Sequence, residues 1–156
     1  MIKINLYCTG SIKEKYFKDA IDEYSKRISK YATLSIIETQ EVKIQKKTEE
    51  EVKKIESENA LKRLKPNDYV ILCDLHGRET NSEGFAGDIE KLLDKGVSPI
   101  NIIIAGTLGF GELLIKRSND RICFSQMTFP HQLMRVILLE QLYRSFKIIN
   151  NENYHH

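Results

Sequence analysis

Tryptophan is absent from this 156-residue sequence, and proline and cysteine occur only three times each. The longest apolar runs, such as Ile102–Ala105 and Val136–Leu139, fall far short of the ~20 residues of a membrane-spanning helix. The opening residues Met1-Ile2-Lys3-Ile4-Asn5 lack the long apolar stretch of a signal peptide. These absences predict a cytosolic protein that does not enter a membrane. Cys8, Cys73 and Cys123 are odd in number, far apart and without a C-x-x-C pair, which excludes a disulfide framework and a cysteine-based zinc site. Each lies in or beside a predicted strand, as buried reduced thiols do. No cluster of metal ligands is spaced for a metal site, and neither a G-x-G-x-x-G nor a Gly-Lys-Ser/Thr phosphate loop occurs.

What is present is an ordinary globular composition, 41% apolar and 29% charged, long enough to bury a core without staples. Net charge is only 24 − 22 = +2, but it is unevenly spread. Residues 1–35 carry 7 − 4 = +3, residues 36–115 carry 11 − 15 = −4, and residues 116–156 carry 6 − 3 = +3. Two basic ends that met in space would attract an anion such as RNA; the same charges also suit ordinary solvated helix faces.

Strands are predicted at Ile2–Cys8, Leu34–Thr39, Tyr69–Leu75, Ile100–Ala105 and Ile122–Ser125, from short apolar or β-branched runs bounded by turn residues. Helical periodicity predicts Glu14–Ile28, with Phe17, Ala20, Ile21, Tyr24 and Ile28 inward. Thr48-x-x-Glu51 is a capping box for a second helix reaching Leu64. Ser82 is expected to cap a third, which places Phe85, Ala86, Ile89, Leu92 and Leu93 inward and closes at Gly96. A short helical piece follows the glycine-rich loop, and a last helix runs from His131 to Ile149. The alternation predicts a single α/β domain over 1–156 with a mostly parallel sheet.

Three features could carry chemistry. The loop Ala105-Gly106-Thr107-Leu108-Gly109-Phe110-Gly111 follows the most apolar strand, where α/β folds bind ligands; its spacing alone suits a plain turn equally well. The loop Ser125-Gln126-Met127-Thr128-Phe129-Pro130 offers apolar side chains and backbone amides that could wrap an adenine ring, or serve as a connector. The last helix is apolar over most of its circumference, as expected of a core helix that also forms a subunit interface. On it Arg135, Glu140 and Arg144 could support one another, with Glu140–Arg144 the i,i+4 pair.

Together these segments resemble the RlmH family (YbeA-like) of SPOUT methyltransferases, along nearly the whole chain. The resemblance is carried by Gly10-Ser11-Ile12-Lys13-Glu14-Lys15-Tyr16-Phe17 with Ala20-Ile21-x-x-Tyr24-x-x-Arg27, and by Phe124-Ser125-x-Met127-Thr128-Phe129-Pro130-His131-x-x-x-Arg135-Val136. It continues in Glu140-Gln141-x-Tyr143-Arg144-x-Phe146-Lys147-Ile148 and the terminal Tyr154-His155. It implies a trefoil knot in about residues 70–156, S-adenosylmethionine as cofactor, and a homodimer. It also implies methylation of N3 of a pseudouridine in helix 69 of 23S rRNA on the assembled ribosome.

By the same resemblance, Leu75, Gly106, Ser125, Gln126, Met127, Thr128, Phe129 and Pro130 match cofactor contacts, and no metal is involved. Arg144, Tyr154 and His155 match positions tied to substrate and activity. His155 then suits the base that removes the N3 proton, because an imidazole titrates near neutrality. Arg144 would hold anionic charge and Tyr154 would orient the base. Two departures from the family pattern stand out: Ala105-Gly106 replaces a usual Gly-Gly in a loop whose Leu108 and Phe110-Gly111 are also unusual, and His156 replaces a usual Arg or Lys. They leave a second reading, a ribosome-binding SPOUT-fold protein with lost or altered activity. A small-molecule α/β enzyme using another nucleotide is a third.

Overall fold

The computed structural model describes residues 1–154. In the first strand, β1 (Ile2–Thr9), Ile4, Leu6 and Cys8 alternate with Lys3, Asn5 and Tyr7, so opposite faces of one strand receive different chemistry. It is followed by α1 (Lys15–Ile28), β2 (Ala32–Thr39), α2 (Glu49–Leu61), β3 (Tyr69–Glu79), α3 (Ser82–Asp94), β4 (Ile100–Ile104), α4 (Glu112–Arg117), β5 (Asp120–Cys123) and α5 (His131–Ile149). All strand pairings are parallel, in the order β2-β1-β4-β3-β5. The predicted α/β class with a parallel sheet is the observed one. Among the described residues no helix is long and apolar enough to cross a membrane.

β4 lies between β1 and β3, in register Leu6↔Ile102 and Ile71↔Ile102, and all five of its residues are buried. Its continuous apolar run reflects a central strand covered on both faces. Helices α1, α3 and α5 pack together on one face, and α2 packs with α4 on the other. The first face carries the larger core, in which Ile4, Leu6, Ile102, Ile89, Leu138 and Leu142 are fully buried. The second is a smaller cluster built on Tyr7, Ala60, Val70, Leu72, Ile103 and Leu114.

Several boundaries differ from expectation. Thr48 caps α2 as read, its Oγ1 accepting from the Glu51 amide at 3.1 Å, but the helix stops at Leu61, before Leu64. The cap of α3 is Asn81, whose Oδ1 accepts from the Gly84 amide at 2.8 Å. Ser82 is already helical, and its hydroxyl donates to Gln141 Oε1 of α5 at 2.8 Å. β3 continues beyond Leu75 to Glu79, with a register shift against β5 between Cys73 and Arg78. Gly77 makes this possible, since a Cβ there would lie 2.5 Å from the Arg121 carbonyl carbon of β5. β5 begins at Asp120 and ends at Cys123, two residues earlier at each end than the apolar pattern suggests.

Candidate cofactor-binding site

The chain leaves β1 toward the α1 face and leaves β4 toward the α4 face. Adjacent strands that send their connections to opposite faces open a crevice at their carboxyl ends, where ligands of α/β sheets bind. Gly106 is the second residue after β4 at this crevice. A Cβ on Gly106 would lie 2.9 Å from Glu56 Oε1 and 3.3 Å from Thr9 Cγ2, so this backbone fits tightly against its neighbours only as glycine. The unusual residues further along anchor the loop. Phe110 packs on the smaller core, and the Gly111 amide donates to Ser57 Oγ at 2.7 Å.

The other residues matched to cofactor contacts lie on or after β3 and β5, which pair with each other on the far side of β4 from β1. Leu75 lies in the irregular stretch of β3, and Ser125–Pro130 follows β5. The two segments are tied by Gln126 Nε2, which donates to Glu79 Oε1 at 3.0 Å. Ser125 Oγ turns back to accept from the Met127 amide at 3.0 Å. The amides of Gln126, Thr128 and Phe129 have no acceptor among the described residues. Beside them Met127 and Phe129 expose 73% and 38% of their surface, and Leu75 of β3 exposes 42%. Exposed apolar side chains beside open backbone donors are what a nucleoside ring requires.

Sequence reasoning missed Glu56. It is buried, its Oε2 accepts from the Val42 amide at 3.0 Å, and its other oxygen backs Gly106. Burial raises its pKa above the ordinary carboxylate value, against the hydrogen bond from Val42. The signal was present, because Val52, Glu56 and Ala60 share one helical stripe and the two apolar members point inward. The thiols of Cys8 and Cys73 are both pushed up to about 12 by burial, which leaves them protonated and inert.

Arg144 and Tyr154 come together, but elsewhere. Arg144 Nη2 lies 2.8 Å from Glu140 Oε2, and the Tyr154 hydroxyl donates to the same oxygen at 2.8 Å. The Arg144 guanidinium sits 4.2 Å from the Tyr154 ring centre. Burial, and then Glu140, raises the Tyr154 pKa, so its hydroxyl stays protonated. His155 lies outside the described residues. Arg144 is fourteen residues beyond Pro130 along chain that is helical from His131, or about 20 Å at 1.5 Å per residue. One chain therefore separates the tail cluster from the Ser125–Pro130 loop.

One charge reading is corrected. Arg135 does not join Glu140 and Arg144; it is 1% exposed and its Nη1 pairs with Glu38 Oε2 at 2.7 Å. The basic carboxyl-terminal segment does meet the amino-terminal one, through Tyr31 and Glu152. Of its six cations, Arg135, Arg144 and Lys147 are paired with Glu38, Glu140 and Glu152, as suits ordinary helix faces more than an anion-attracting surface.

Residues 2–155 match the family described as predicted SPOUT methyltransferase. The chain is 48% identical to the ribosomal RNA large subunit methyltransferase H of Ruminiclostridium cellulolyticum, over 99% of both chains. It is 46% identical to the protein of that name from Clostridium acetobutylicum, again over 99% of both. A solved structure of a probable methylase family protein from Haemophilus influenzae Rd KW20 aligns with a TM-score of 0.50 at 15% identity, covering 99% of this chain and 72% of that one. That likeness concerns the fold. With the family pattern spanning the chain and close relatives matching it end to end, this protein belongs to the SPOUT methyltransferase family.

Proposed function

We propose that this protein is an S-adenosylmethionine-dependent methyltransferase of large-subunit ribosomal RNA. Its target in this reading is N3 of a pseudouridine in helix 69 of 23S rRNA, on the assembled ribosome in the cytoplasm. One observation supports the cofactor part: the loop Ser125–Pro130, tied to the end of β3 by the Gln126–Glu79 hydrogen bond, presents open amides at Gln126, Thr128 and Phe129 beside the exposed side chains of Met127 and Phe129. The RNA part rests on the relatives named above, which match this chain along its whole length.

S-adenosylmethionine supplies a methyl group on a sulfonium. The amides of Gln126, Thr128 and Phe129 and the apolar surfaces of Leu75, Met127 and Phe129 suit its adenosine end. Gly106 seats the loop after β4 closely against Thr9 and Glu56. Holding N3 in line with the methyl carbon is the main task of such a site, worth about 7–11 kcal/mol in favourable cases. His155 accepts the N3 proton, Arg144 holds negative charge on the base or a phosphate, and Tyr154 orients the ring.

A homodimer completes this site. The tail cluster lies about 20 Å along α5 from the cofactor loop of its own chain, so a partner's tail can reach where its own does not. Half-buried Leu133, Met134, Val136 and Ile137 on α5 and the exposed Tyr16 of α1 give the apolar face such a partner needs. The reading includes a trefoil knot over about residues 70–156. In its favour, the chain passes from edge strand β5 to seat Arg135 of α5 on the Gly10 carbonyl beyond β1, crossing the ends of β3 and β4.

The test is transfer of radiolabelled methyl groups from S-adenosylmethionine to ribosomes that lack the modification. Incorporation at one pseudouridine of the large subunit is expected. Cofactor binding without incorporation would instead leave a ribosome-binding protein that has lost the activity.

A further inference from the structure

The sheet is not covered on both faces along its whole length. On the α2/α4 face, the helices cover Tyr7, Val70, Leu72 and Ile103. The amino-terminal halves of β1 and β2 on that face remain open. Parallel sheets are normally buried on both sides, yet here the outward residues are Lys3, Asn5, Thr33 and Ser35 rather than apolar ones. They floor a groove of about 450 Å³ at the end of the sheet opposite the cofactor loops.

The rim carries Arg63 and Lys65, from the segment linking α2 to β3. Among the described residues, Lys3, Arg63 and Lys65 enter none of the ion pairs that occupy cations elsewhere on the surface. The acid at the groove, Asp68, turns its Oδ2 to the Lys65 amide at 2.9 Å. The rim is also braced: Arg117 Nη2 donates to the carbonyls of Lys65 and Asp68, both at 2.9 Å. Asn5 is held by Asn101 at 3.0 Å, which fixes the floor. Three unpaired cations on a held frame, with hydroxyl and amide groups between them, match a chain of phosphates and ribose hydroxyls.

We propose that this groove binds the phosphodiester backbone of single-stranded RNA, with Lys3, Arg63 and Lys65 on the phosphates and Thr33, Ser35 and Asn5 on the sugars. It shares no residue with the cofactor site. An enzyme acting on a large RNA gains from such a second grip, because phosphate contacts fix register without reading sequence.

The test uses the full-length protein and a fluorescent single-stranded oligouridylate of twelve nucleotides, titrated at several salt concentrations. The variant Lys3→Gln/Arg63→Gln/Lys65→Gln is compared with Lys43→Gln/Lys46→Gln/Lys47→Gln, which removes the same charge from exposed lysines outside the groove. The groove variant should bind at least about tenfold more weakly, and its log–log salt slope should fall by about 2, at roughly 0.7 per single-strand phosphate contact. The comparison variant should change affinity by less than about threefold. Equal weakening in both variants, or no binding by the wild type, would overturn the proposal. Unchanged melting temperatures establish that the variants are folded, and the single variant Arg63→Gln gives a second reading if the triple one is not. Methyl transfer to ribosomes is measured in parallel. Its absence in a wild type that still binds oligouridylate through the groove counts against the proposed activity and not against the groove.

Discussion

Arg135 and Glu38 are 97 residues apart in the chain and 2.7 Å apart in the fold. The same guanidinium donates to the Gly10 carbonyl at 2.6 Å, so one buried side chain of α5 clamps the ends of β1 and β2. Truncating it removes a buried cation's hydrogen bonds and leaves backbone carbonyls unpaired. Arg135→Ala should cost about 3–5 kcal/mol of stability in urea unfolding. Arg135→Lys should restore little of this, because a point charge cannot reproduce the fork. Glu38 is 44% exposed on its side chain, so Glu38→Gln should cost less than about 1 kcal/mol. Equal losses for Arg135→Ala and Glu38→Gln would show that the ion pair, rather than the grip on the backbone, is what matters.

At Gly106 the nearest atoms to an added Cβ are Glu56 Oε1 at 2.9 Å and Thr9 Cγ2 at 3.3 Å. The Glu56 carboxylate is held by the Val42 amide and cannot withdraw freely. Gly106→Ala should therefore displace the loop at a cost of about 1–3 kcal/mol, as overpacking does. Calorimetry should show S-adenosylmethionine binding weakened about tenfold or more, and Gly106→Val should abolish it. Unchanged affinity in both would remove Gly106 from the site.

How much of this was legible in the sequence depended on how local the cause was. The bounds of α5 follow from periodicity and Pro130, and His131–Ile149 is what forms. The buried strand β4 was visible as an uninterrupted apolar run. β3 was read four residues short, because Arg78 and Glu79 look like turn residues. They extend the strand only because Gly77 lets β5 approach, a contact with residues more than forty positions away. The same limit hid the Arg135–Glu38 pair, for which helical spacing offered only the nearby Glu140. The distance between Arg144 and the Ser125–Pro130 loop follows from α5, a helix whose bounds periodicity already gives.

Glu56 gives a pH signature. Its pKa is raised in the folded protein, mainly by burial. Proton binding there favours the folded state. That stabilisation is complete below the ordinary carboxylate range and is lost as pH rises through the folded value. Glu56→Gln keeps an acceptor for the Val42 amide and removes the buried charge. Its melting temperature should exceed that of the wild type at pH 7, and the gap should close as pH falls toward the carboxylate range. If the gap is constant with pH, Glu56 is not titrating in this window.

The separation along α5 makes the strongest claim about assembly. If one subunit's tail completes the other's cofactor loop, two variants that are inactive alone should rescue each other. Gly106→Val breaks the loop and leaves the tail intact. A variant with Arg144→Ala and His155→Ala does the reverse. Unfolding and refolding an equimolar mixture yields mixed dimers in which one intact loop faces one intact tail. With half the dimers mixed and one working site in each, about a quarter of wild-type methyl transfer should return. A site built within one chain would return nothing, because no chain in the mixture carries both intact parts. Size-exclusion chromatography of the mixture, run beside the activity assay, shows whether the dimers formed, so that lack of rescue is read as a site completed in cis and not as failed assembly.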